Sequence, residues 1–163
     1  MKRLVLILSM IGLCLPIWAG IHSYADHSVL KEGKVIKIRV SETGVHCIPY
    51  DTLKAWGLQP EQVRILGYGG NMLSENFLLK KWDDLPSVAF YMHKGSDNTF
   101  NSGDYILFYA RGAVKWEYSG GRWRHTQHPY SLYGYYFVSD SAGEQNLITK
   151  AEPLDGNGAY TVD

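Results

Sequence analysis

Asn101-Ser102-Gly103-Asp104 is a turn sequence, and it runs directly into Tyr105-Ile106-Leu107-Phe108-Tyr109-Ala110. Asn, Ser, Gly and Asp bend the backbone and satisfy it locally. Aromatic and β-branched side chains suit a pleated, half-buried surface. A short apolar run launched from such a turn is a strand signal, and units of this kind recur along the chain.

Val35 to Val40 alternates, with Ile36, Ile38 and Val40 on one face and Lys37 and Arg39 on the other, as a half-buried antiparallel strand does. Ser41-Glu42-Thr43-Gly44 then turns into a second strand, Val45 to Tyr50, so the two are expected to form a hairpin. Asp51 is expected to cap a short helix through Thr52–Trp56, stopped by Gly57, with Leu53 and Trp56 sharing the face that packs on the sheet. Gln59-Pro60-Glu61 turns into a third strand, Val63 to Tyr68, and Gly67-Tyr68-Gly69-Gly70 bends the chain after it. That glycine run lacks the lysine and hydroxyl ending of a phosphate cradle. From Gly69 to Pro86 the pattern dissolves into a long loop. Ser87 to His93 is apolar on both faces and reads as a central strand, followed by strands at 104–110, 113–118, 122–126 and 133–139, with Gly120-Gly121 as a tight turn. At least seven short strands and one short helix predict a mainly β, antiparallel β-sandwich-like domain.

Met1-Lys2-Arg3 followed by an uncharged stretch from Leu4 to Ile21 is the order of a secretory signal, with cleavage expected after Ala25. An uncleaved membrane anchor is the alternative, since the uncharged run is just long enough to span a bilayer. Leu13 rules against lipid attachment at Cys14, because such signals place a small residue there, and Cys14 is expected to leave with the signal. The expected domains are therefore residues 1–25, a signal peptide, and residues 26–163, a β-rich domain of 138 residues. Loss of Lys2 and Arg3 leaves 14 basic against 16 acidic residues, a net charge of −2 with no basic stripe for nucleic acid. Cys47 is then the single cysteine, and stability must come from packing without an internal disulfide.

The chemistry-bearing residues form no constellation. His46 and Cys47 suggest a thiolate nucleophile with its base, but neighbours on a strand point to opposite faces, so a buried structural thiol is expected at Cys47. His125 and His128 have helical metal spacing only if Thr126-Gln127-His128-Pro129 were helical, and no third zinc ligand stands near them. Asp97, Asn101 and Asp104 offer oxygens to calcium, yet Ser102 occupies the position that a calcium loop gives to glycine, and turn chemistry also explains them. No catalytic, cofactor-binding or metal residue is assigned, and no cofactor is expected. Aromatic residues number 22 of 163, and Trp116, Tyr118, Trp123, Tyr130, Tyr133, Tyr135 and Tyr136 crowd the last third. Core packing or a partner interface is expected of them, and sugar stacking is the alternative.

Asn101–Ala110, Ser41-Glu42-Thr43-Gly44-Val45, Val63–Gly70, Asp84-Leu85-Pro86, Val114-Lys115-Trp116, Pro129-Tyr130-Ser131 and Tyr133–Phe137 together resemble, in order, the region ahead of the peptidase domain in PorU-type sortases of the bacterial type IX secretion system. The resemblance implies a gingipain-like cysteine peptidase downstream that processes the C-terminal signals of secreted cargo. It also implies an outer-membrane partner of the PorV type and a location at the outer membrane or surface of a Gram-negative cell. This chain matches the earlier region alone, so a non-catalytic scaffold or docking domain, truncated before the peptidase, is expected. Two alternatives stand beside it: a free-standing secreted module that binds carbohydrate through the Trp116, Trp123 and Tyr133 region, or protein; and a complete gene product that is an active endopeptidase.

Overall fold

The structure, a computed structural model, describes residues 24–72, 76 and 82–149. The expected signal segment through Ser23, part of the expected long loop (73–75 and 77–81) and the last stretch of the expected β-rich domain (150–163) lie outside them. Nine strands and two short helical pieces are described: β1 (Val35–Val40), β2 (Gly44–Pro49), α1 (Tyr50–Ala55), a 3-10 turn (Pro60–Gln62), β3 (Arg64–Gly69), β4 (Ser87–Val88), β5 (Phe90–His93), β6 (Tyr105–Ala110), β7 (Val114–Ser119), β8 (Arg122–Gln127) and β9 (Gly134–Ser139). All pairings between these strands are antiparallel.

Two sheets face each other, one in the order β1-β9-β3-β4 and one in the order β2-β6-β5, while β7 and β8 form a separate ribbon. Register assigns the inner faces. Ile36 pairs with Val138, Ile38 with Tyr136, and Ile65 also with Val138. In the other sheet Phe108 stands between His46 and Phe90, and Ile106 between Ile48 and Met92. These side chains meet in one core, where the rings of Phe108 and Tyr136 lie edge to face at 5.5 Å across the sandwich. Leu53 of α1 and Trp56, which caps its C-terminus, pack on this core, as their spacing predicts.

Three expectations are corrected. β1 and β2 are not hairpin partners: β1 pairs with β9 and β2 with β6, so Ser41–Thr43 carries the chain from one sheet to the other. Ser87–His93 is not one central strand but two edge strands, broken at Ala89, with β4 in one sheet and β5 in the other. Its apolar character on both sides reflects this crossing, together with Leu147, which bridges Phe90 in parallel. Asp51 does not cap α1: the helix starts one residue earlier, at Tyr50 after Pro49, with no side-chain cap, so Asp51 lies within its first turn, and the Tyr50 N–H donates to the Asp104 carbonyl at 2.9 Å. Asp51 instead accepts from the Ser102 hydroxyl at 3.0 Å.

The sandwich closes over a glycine crossing. Gly70 N–H donates to Arg111 O at 2.9 Å, and a Cβ on Gly134 would stand 2.2 Å from that same oxygen. A Cβ on Gly70 would stand 2.2 Å from Gly112 O, and one on Gly112 2.7 Å from Ser41 O. Backbone therefore packs directly on backbone where β3, β6 and β9 converge. Tyr136 fixes the crossing, its hydroxyl accepting the Arg111 N–H at 2.8 Å, and burial pushes the phenol pKa up.

A strap covers the outer face of the larger sheet. Asp83 accepts from Ala25 N–H, and Asp84 accepts from the N–H groups of Val29 and Leu85 and from the Ser28 hydroxyl. Burial pushes the Asp84 carboxyl up, but these donors outweigh it and hold it below the usual carboxylate range. Beneath the strap Leu66 is buried, and a Cβ on Gly143 would lie within 3.0 to 3.2 Å of Leu66 and Val29.

Candidate functional site

The structure sets the two members of the first candidate pair on opposite faces of β2. His46 points inward, its ring 5.9 Å from Phe108, while Cys47 points outward and is exposed, so the expected buried thiol is corrected. Val45, His46, Cys47 and Ile48 carry no polar–apolar contrast that would have shown which face was inner. Exposure makes Cys47 reactive toward a second copy. Air-oxidised protein is expected to run partly as a dimer on unreduced gels, and the band should vanish with reductant or in Cys47→Ser.

Asp97 and Asp104 are used by the loop itself. Asp104, buried, accepts from Gly95 N–H at 3.0 Å and Asn101 N–H at 2.8 Å, one on each carboxylate oxygen. Asp97 accepts from Thr99 N–H at 3.0 Å and Asn101 Nδ2 at 2.8 Å, and these bonds hold its pKa low. Turn chemistry accounts for both. Asp104→Ala leaves two N–H groups without their acceptor and is expected to cost roughly 2 kcal/mol of stability, read from the urea midpoint. His125 lies on β8 beside Trp116, with ring centroids 4.9 Å apart, and His128 Nδ1 accepts from Tyr130 N–H at 3.1 Å. Among the described residues no three His, Cys, Asp or Glu side chains are grouped to hold a metal.

The distinctive surface is the β7–β8 ribbon. Gly120 and Gly121, both at positive φ, make its two-residue turn. Cross-strand pairing sets Trp116 opposite His125 and Tyr118 opposite Trp123, two positions apart, so all four share one face. The alternate pairs put Lys115, Glu117, Ser119, Arg122, Arg124 and Thr126 on the other. Every residue of the two strands except Val114 is exposed. Trp116, Tyr118 and Trp123 are 60%, 64% and 66% exposed, against 3% for Tyr136. The aromatic crowd of the sequence thus divides, with Tyr136 in the core and the ribbon rings in solvent. Tyr135 and Tyr133 form a third group, lying under Lys37 and Arg39 at 4.2 and 4.6 Å. At the base of the ribbon, Glu42, Asn71, Tyr109, Arg111 and Trp116 line an open groove of about 700 Å³.

No protein-family model matches the chain, and no curated protein matches it. Among solved structures it is similar to the crystal structure of dimeric latent PorU from Porphyromonas gingivalis, with 34% sequence identity and a TM-score of 0.66. The match covers 79% of this chain, which spans only 11% of that one. Identity at this level together with a shared fold supports a β domain related to a part of PorU.

Proposed function

We propose that this chain is the non-catalytic N-terminal domain of a PorU-like sortase of the type IX secretion system, a scaffold for a gingipain-like cysteine peptidase that follows it. The peptidase would remove the C-terminal signals of cargo proteins. The observation that carries the reading is the match of 79% of the chain to 11% of PorU, which leaves the larger part of that protein for the reacting domain. The opposite facing of His46 and Cys47 supports it, since a nucleophile and its base must lie within hydrogen-bond reach. Export across the inner membrane, residence at the outer membrane or cell surface, and a PorV-like partner belong to the same proposal. The exposed outer face of the smaller sheet, where Val45 lies opposite Tyr109, offers an apolar bed for adjoining chain.

The test is the coding sequence beyond residue 163. A continuing open frame for a gingipain-like domain is the expected result, and a stop followed by unrelated genes would remove the scaffold reading. The exposed ribbon rings favour a second reading, a secreted binding module for carbohydrate or protein. Saturable quenching of tryptophan fluorescence by lipopolysaccharide would favour the module.

A further inference from the structure

We propose that the β7–β8 ribbon is a membrane-surface anchor that enters the headgroup layer of an anionic lipid bilayer tip first, with its aromatic rings on one face and its arginines on the other. A two-stranded ribbon alone is marginal in water. This one nevertheless displays two exposed cross-strand aromatic pairs, Trp116 with His125 and Tyr118 with Trp123, and among the described residues no sheet lies over them. Indole and phenol rings combine an apolar body with a polar tip, which is why they concentrate at water–hydrocarbon boundaries.

Charge selects the kind of surface. The ribbon holds Lys115, Arg122 and Arg124 against Glu117, a net of +2, while the rest of residues 26–163 holds 11 basic against 15 acidic residues, a net of −4. The ion pair Lys115–Glu117, at 2.5 Å, takes up two of the ribbon's charges and leaves Arg122 and Arg124, both beside the Gly120-Gly121 tip, outside it. An anionic surface would attract the ribbon and repel the body, which orients the domain tip first. Ring geometry argues against a sugar platform: Trp116 and His125 are inclined by 44° and Tyr118 and Trp123 by 58°. Rings so tilted present edges and knobs that enter a headgroup layer, not a flat floor on which a chain of sugar rings would lie. Anchoring by these residues does not depend on a peptidase that follows.

The probe is the exported form, residues 26–163, mixed with vesicles of equimolar phosphatidylcholine and phosphatidylglycerol or of phosphatidylcholine alone. Expected are co-sedimentation with the anionic vesicles, a blue shift of tryptophan emission, and much weaker binding to the neutral ones. Trp116→Ala with Trp123→Ala is expected to remove the blue shift, and Arg122→Glu with Arg124→Glu to weaken binding roughly tenfold or more. All four side chains are exposed, so unchanged far-ultraviolet circular dichroism is expected of both variants. Absence of vesicle binding would overturn the proposal, as would equal binding by the parent and both variants. A fluorescence response to a soluble oligosaccharide or to a second copy of the chain, with none to vesicles, would overturn it too.

Discussion

Gly134→Ala is expected to destabilise the domain by about 3 kcal/mol or more, a large part of the 5–15 kcal/mol typical of a whole domain. The new methyl would stand 2.2 Å from Arg111 O, 2.7 Å from Gly70 N and 3.1 Å from a Val40 methyl. The first two atoms are partners in one hydrogen bond, so the methyl is driven into the contact that joins the ends of β3 and β6. Neither atom can swing aside as a side chain would. Gly134 opens β9, the strand that holds β1 and β3 together, so displacement there spreads through the larger sheet. Urea unfolding should show a lower midpoint at unchanged slope. Gly44→Ala is the control, since a Cβ there meets nothing within 4 Å, and it is expected to be nearly neutral. Equal midpoints for the two variants would mean that the crossing has slack.

Phe108→Ala is expected to cost 3–5 kcal/mol, roughly a 15 °C fall in melting temperature for a domain of this size. Phe108 is 2% exposed on the middle strand of the smaller sheet. It lies between His46 and Phe90 and reaches across the sandwich to the Tyr136 ring. Truncation removes contacts on three sides, and the neighbouring strands cannot collapse into the gap without breaking their ladders. Trp123→Ala removes a larger side chain, yet from a 66% exposed position, and should leave the melting temperature nearly unchanged. A melt of Phe108→Ala indistinguishable from that of Trp123→Ala would contradict the assignment of the core.

Strand positions were largely legible because alternation is a local property: Val35–Val40 falls at the expected residues, and the predicted strand at 122–126 is within one residue of β8. The turn glycines were legible for the same reason. Gly57 ends α1 at φ +71° and Gly120-Gly121 turns the ribbon at φ +61° and +75°. Partnership was not legible. Three residues after β1 read as a hairpin turn, but the alternation of Ile36, Ile38 and Val40 states only that one face is buried, and β9 supplies its partner face across about a hundred positions of chain. Ser87–His93 shows the same limit, since a segment that changes sheet halfway has apolar residues on both sides just as a central strand has.

The candidate surface was legible in its residues and not in its role. Trp116, Tyr118 and Trp123 look like core by type, and nothing adjacent to them in sequence says that no second sheet will cover them. Strand-forming residues and turns were determined by the sequence itself, because each depends on neighbours a few residues away. Which strands pair, which way Cys47 faces, and whether an aromatic ring is buried or left in water were decided only by the tertiary structure, because burial depends on what distant chain comes to lie opposite.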